Sequence, residues 1–153
     1  MGVWHSLAWA FPPDYVPGTD EPIHIAARFI GSEIGSNVTP TAILMDGAGV
    51  LWIGTSNGIL LIDTGGTPAD TTDDQFVGAI DADGSGGGVS LLDNAVTCLT
   101  ADRDGAIWIG TEGGLTSLSG EYNRDSNLYS LESKNFTVNN GLPSSFVRAV
   151  TTD

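Results

Sequence analysis

The sequence predicts an all-β fold built from four-stranded antiparallel meanders. Three observations predict it. The stretch at 41–63, TAILMDGAGVLWIGTSNGILLID, recurs in altered form at 97–119, TCLTADRDGAIWIGTEGGLTSLS. Asp46, Gly49, Trp52, Gly54, Thr55 and Gly58 return as Asp102, Gly105, Trp108, Gly110, Thr111 and Gly114, every pair at one constant spacing. A self-match at a fixed period of this size marks a repeat architecture. The 21 glycines and seven prolines then cut the chain into many short elements, which favours strands over helices.

The elements follow in order. Gly2 to Leu7 aligns with Gly58 to Asp63, so the opening is already part-way through a repeat. Residues 9–22 are proline-rich and read as a loop. Residues 23–30, IHIAARFI, read as a strand and 31–39 as another loop. In the first full repeat, 41–45 is an apolar strand and Asp46-Gly47-Ala48-Gly49 a hairpin turn, where glycine permits positive φ. Strand 50–54, the Asn57-Gly58 turn, strand 59–63, polar loop 64–74 and strand 75–80 complete it.

Connector 81–93 is rich in Gly and Asp. The second repeat has strands at 96–101, 106–110 and 115–119, a long polar loop at 120–132, and a fourth strand at 134–138. Residues 139–145 turn the chain, and FVRAVTTD at 146–153 begins a third copy, with Val147 matching Val96 and Asp153 matching Asp102.

Repeated meanders of this length read as blades of a β-propeller. The expected division is the outer half of a blade at 1–37, whole blades at 38–93 and 94–145, and the inner strand of another blade at 146–153. Closure takes typically 4–8 blades. The expected partners are therefore further blades of the same protein or other protein chains.

Bulk composition narrows the function. The net charge is −14, from 19 acidic against five basic residues. Nucleic acid and anionic membrane surfaces need clustered Lys and Arg, and the chain offers Lys134 as its sole lysine. No apolar run approaches the ~20 residues of a membrane helix, and the first residues do not read as a signal peptide. Asp in excess of Glu, with abundant Thr and Gly, fits a soluble, well-solvated surface and also an extracellular, calcium-rich or saline setting. Cys98 is the single cysteine, so no intramolecular disulfide is available. It aligns with Ala42 and Ala149 and reads as a small core side chain.

The repeated residues read as scaffold. Trp52 and Trp108 sit at one strand position, and each would bury ~200 Å² between blades. Asp46 and Asp102 stand at turn starts, where an aspartate caps its own backbone. The chemical candidate lies in the connector. Asp81, Asp83 and Ser85 fall at positions 1, 3 and 5 of a calcium loop with Gly86 at 6, and Asp73 and Asp74 lie nearby in sequence. Position 12 is Leu92 in place of the bidentate Glu, so the residues fit an acidic, flexible loop as well as a Ca2+ site. His5 and His24 have no partner at ligand spacing. Asn37-Val38-Thr39 and Asn135-Phe136-Thr137 satisfy the N-glycosylation pattern. No phosphate loop, nucleophile motif or haem motif occurs, so no catalytic residue is expected.

The pattern D-x-x-G-x-[LI]-W-I-G-T-x-x-G-[IL] resembles the two-component regulator propeller repeat. It is carried by Asp46, Gly49, Leu51, Trp52, Ile53, Gly54, Thr55, Gly58 and Ile59, and again by Asp102, Gly105, Ile107, Trp108, Ile109, Gly110, Thr111, Gly114 and Leu115. Asn140-Gly141-Leu142-Pro143-Ser144 resembles that family's link between blades. The resemblance implies a propeller like those in the periplasmic sensing halves of hybrid two-component sensors, used for ligand sensing or domain contacts. Blade number and the long polar loops depart from that pattern. The expectations are thus a non-catalytic interaction or assembly module, then a ligand-sensing propeller, then a propeller lyase.

Overall fold

The computed structural model describes residues 38–67, 72–84 and 88–153. These form two antiparallel four-stranded sheets, each a meander in sequence order. The first contains β1 (Pro40–Met45), β2 (Val50–Thr55), β3 (Gly58–Asp63) and β4 (Gln75–Ile80). The second contains β5 (Val96–Ala101), β6 (Ile107–Thr111), β7 (Leu115–Asn123) and β8 (Leu128–Phe136). They are two propeller blades.

The repeat in sequence is a repeat in backbone. Leu51 faces Ile62 in the first blade as Ile107 faces Leu118 in the second. Both inner ladders carry a bulge at the same place, between Pro40 and Ala42 and between Val96 and Cys98. Gly49 and Gly105 hold φ of 82° and 87° at the first turn, a conformation that a β-carbon disfavours.

Gly54 and Gly110 matter for a different reason, close approach. A β-carbon on Gly54 would lie 2.6 Å from Val96 Cγ1, and one on Gly110 would lie 2.8 Å from Val147 Cγ1. The same glycine therefore lets the inner segment of the next repeat press onto each blade. A β-carbon on Gly110 would also meet the sulfur of Cys98, the residue paired with it, as one on Gly54 would meet Ala42. Cys98 is half-buried, with a free thiol.

The core lies between the blades. Val50, Trp52, Ile59, Leu61 and Ile80 of the first pack against Val96, Ile107, Ile109 and Leu118 of the second. Val89 and Leu91 of the connector, 5% and 4% exposed, join them. The connector is thus anchored by two apolar side chains, and Leu91 N–H donates to Asp81 O at 2.9 Å. On the other face of the first sheet, Leu51, Ile53, Leu60 and Ile62 are buried too.

Two elements differ from the sequence reading. The polar loop at 120–132 is mostly strand. β7 runs on to Asn123 and β8 starts at Leu128, pairing Tyr122 with Tyr129 and Glu121 with Ser130. The turn between them is tight, with Ser126 N–H donating to Asn123 Oδ1 at 3.1 Å and Asn127 at φ 54°. Residues 146–153 run beside the second blade without forming a ladder. Val147 N–H donates to Thr111 O at 3.0 Å, and Thr152 Oγ1 donates to Ala101 O at 2.7 Å. An inner strand needs a second strand on its far side, and none stands there among the described residues.

Candidate functional site

The repeated aspartates organise their surroundings. Asp46 Oδ1 accepts from Ala48 N–H at 2.9 Å and Val50 N–H at 3.0 Å, which closes the hairpin turn. Asp46 Oδ2 accepts from the Trp52 indole Nε1–H at 2.8 Å. Asp102 repeats the arrangement with Asp104 N–H, Ala106 N–H and the Trp108 indole, the last again at 2.8 Å. The indole bond, followed by those backbone donors, holds the Asp102 carboxyl below the usual aspartate range. The tie between aspartate and tryptophan went unread in the sequence, although its signal is the constant Asp-x5-Trp spacing.

Thr55 and Thr111 are equally structural. Each hydroxyl donates to a carbonyl of the second turn, Gly58 O at 2.8 Å and Gly114 O at 3.0 Å. Each also accepts from that turn, Thr55 from Asn57 N–H and Thr111 from Gly113 and Gly114 N–H. Both threonines are fully buried, so the pairing satisfies groups that water cannot reach. Gly58 and Gly114 carry φ of 101° and 147° there.

A polar cluster spans the junction of the two blades. The Tyr129 hydroxyl of β8 donates to Asp46 Oδ2, and its ring meets Trp52 edge-on at 5.4 Å between centroids. Burial, then the Asp46 bond, pushes the Tyr129 phenol well above its ordinary value. Asp63, 4% exposed, closes β3. It accepts from Arg124 Nε at 2.8 Å, Arg124 Nη2 at 3.0 Å, the Tyr122 hydroxyl at 2.8 Å and Gly65 N–H at 3.0 Å.

Burial opposes ionisation of Asp63. The donors from Arg124, Tyr122 and Gly65 outweigh it, and the carboxyl titrates below its ordinary 3.8. Burial and the same carboxylate push Tyr122 up to about 12. Arg124 also reaches Ala48 O at 2.9 Å, and Asn127 Nδ2 donates to Phe76 O at 2.9 Å. The extended β7–β8 hairpin is therefore a clasp laid across the first blade. No sequence signal linked Tyr122, Arg124 and Tyr129 to Asp46 and Asp63.

Of the connector candidates, Asp81 and Asp83 lie among the described residues. Asp81 is half-buried and Asp83 exposed, while Ser85 lies outside the described residues. Asp73 and Asp74 precede β4 and Asp81 follows it, so the strand separates them by ~20 Å. Asp73 instead accepts from Thr67 Oγ1 at 2.7 Å. Among the described residues no group of three or more His, Cys, Asp or Glu side chains converges as a metal site would. His5, His24 and loop 9–22 lie outside the described residues.

A hollow of about 400 Å³ opens between the blades, lined by Asp46, Trp52, Asp104, Glu121, Tyr122 and Tyr129 among others. A second, of about 540 Å³, lies on the outer side of the second blade against Asp102, Trp108, Leu115 and residues 150–153. Among the described residues no helix is long and apolar enough to cross a membrane.

No curated protein matches the chain significantly. One solved structure similar to it is the extracellular domain of the hybrid two component system BT3049 from B. thetaiotaomicron. It shares 26% identity over 71% of this chain and 12% of its own length, with a TM-score of 0.49. Two structures of the extracellular domain of BT4673 from the same organism, named as a hybrid and as a one component system, match at 16% and 14% identity. They cover 66% and 77% of this chain, 12% and 21% of their own, with TM-scores of 0.39 and 0.40. The chain thus spans a small part of each of these domains. The two component regulator propeller model matches residues 32–57 and 90–113, segments that end within the repeated Asp–Trp–Thr units just described. The match falls on the same unit of both blades, so at two places the chain is similar to the two component regulator propeller repeat.

Proposed function

We propose that the chain is a non-catalytic, extracytoplasmic propeller module for protein–protein interaction or structural assembly within a larger protein or complex. The observation that carries this reading is the junction between the blades. The carboxylates of Asp46 and Asp63, which could otherwise do chemistry, are occupied by Trp52, Tyr129, Tyr122 and Arg124 in holding one blade to the next. A general acid or base must reach a substrate proton, and these are committed to structural donors. The acidic, Asp-rich composition supports the extracytoplasmic part.

Sedimentation velocity on the purified 153-residue chain tests the assembly part. Open blade faces should bring chains together, so the mass should rise above one chain as concentration increases. A folded chain that stays a single monomer at every concentration would overturn the reading.

The second reading is ligand sensing, as the family's description as a two component regulator propeller suggests. The hollow between the blades favours it, because half-buried tyrosines and the exposed acids Asp104 and Glu121 meet there at a junction that could change spacing.

A further inference from the structure

We propose that the hollow between the two blades binds an organic ammonium ion with a flat apolar body. The charge is held by Asp104 and Glu121, and the body lies on the rings of Tyr122 and Tyr129. The inference rests on the ligand-sensing reading and names the chemistry of the ligand.

One part of the wall is aromatic. The rings of Tyr122 and Tyr129 stand 5.0 Å apart between centroids, tilted by 33°, and Tyr129 meets Trp52 edge-on, so the three rings are continuous. Ile107 and Leu118 extend that wall with aliphatic surface. The tyrosine hydroxyls are turned onto the protein, Tyr122 onto Asp63 and Asn127, and Tyr129 onto Asp46. A ligand therefore meets ring surface and no free phenolic donor. The same bonds hold the rings in place before it arrives.

The other part is anionic. Asp104 and Glu121 are exposed, and their carboxylates have no hydrogen-bond or ion-pair partner among the described residues. Asp46, already occupied by its own donors, adds a third negative charge. No lysine, arginine or histidine is among the described residues that line the hollow. Arg124 touches its rim at Ala48 O, but the guanidinium is engaged with Asp63.

Carboxylates without a counter-charge draw in a cation and repel an anion. Aromatic faces attract the same cation through their quadrupole. A bare metal ion does not fit, because no three acidic side chains converge as ligands among the described residues. A neutral polyol would need donors as well as acceptors, and the free groups here only accept. A hollow of about 400 Å³ stands at the small end of ligand pockets, which suits a compact aromatic amine.

The test titrates phenethylamine into the 153-residue chain at constant ionic strength, with neutral phenethyl alcohol and anionic hydrocinnamate as matched probes. The readout is the Trp52 indole N–H resonance, assigned by triple-resonance NMR, because that proton is bonded to Asp46 in the wall. Trp108 makes the same bond to Asp102 but does not line the hollow, so its indole is the internal reference.

Millimolar phenethylamine should shift Trp52 saturably and leave Trp108 in place. Asp104→Asn with Glu121→Gln should weaken binding by about threefold or more. Asp125→Asn with Glu132→Gln removes as much charge from exposed positions outside the hollow and should leave binding unchanged. Equal weakening by the two double variants overturns the proposal, as does an equal shift of Trp108. A Trp52 shift by the alcohol or by hydrocinnamate, at the affinity of the amine, overturns the ammonium class and leaves ligand sensing at the hollow standing. No Trp52 shift with any of the probes overturns both.

Discussion

Asp46 and Asp102 each serve the same three local donors with two oxygens, and this is why the repeat keeps an aspartate six residues before a tryptophan. The turn-capping half of that role is legible in the sequence, because the donors are two and four residues away. The indole half is legible only through the constant spacing. The tyrosine on Asp46 is not legible, since it comes from 83 residues along the chain. Asp63 carries the clearest prediction at this scale. Its folded carboxyl titrates below 3.8, so in acid the unfolded chain takes up the proton first. The stabilisation is complete above about pH 4 and is lost as pH falls through the lower folded value. Asp63→Asn should therefore flatten the dependence of stability on pH below about 4, measured by denaturant unfolding at stepped pH. An unchanged slope would show that Asp63 is not the linked group.

At the scale of elements, six of the eight strands lie within about a residue of where the repeat and the turn chemistry of the sequence put them. The β7–β8 hairpin does not. Gly120, Asn123, Asp125, Ser126 and Asn127 are turn-forming types, and they mask a ladder whose outward positions are polar. Tyr122, Tyr129 and Leu131 are half-buried at intervals, because they pack against the core shared with the first blade. The connector shows the converse. Its acidic, glycine-rich start reads as loose, while Val89 and Leu91 dock in the core. Its possible Ca2+ role through Asp81, Asp83 and Ser85 is open to a direct measurement. If the loop binds calcium, millimolar Ca2+ should raise the melting temperature, and Asp81→Ala with Asp83→Ala should abolish the rise. No rise in the parent protein would dismiss the site.

The whole molecule depends on one junction that combines an apolar core with a polar clasp. Arg124 is about half exposed, so solvent screens its ion pair with Asp63 and the pair adds little to stability. The Tyr129 bond to Asp46 lies deeper and contributes about 1–2 kcal/mol. Arg124→Ala with Tyr129→Phe should lower stability by about 1–2 kcal/mol, chiefly through the lost Tyr129 bond, and weaken the coupling between blades. Unfolding followed by Trp fluorescence and by far-UV circular dichroism should then cease to coincide. Coincident transitions at an unchanged midpoint would mean that the apolar core alone joins the blades.

The sequence by itself determined what is local and periodic in this protein: the strand order within each blade, the turns at Asp46 and Asp102, and the placing of Trp52 and Trp108. Short-range hydrogen bonds and a period-two side-chain pattern act within a few residues, so equal sequence makes equal backbone. The tertiary structure alone decided what each face meets. Trp52 and Trp108 share one motif and one aspartate bond, yet one is sealed and the other half-open. Burial depends on what stands beside a strand, and Tyr129 stands beside only the first of them.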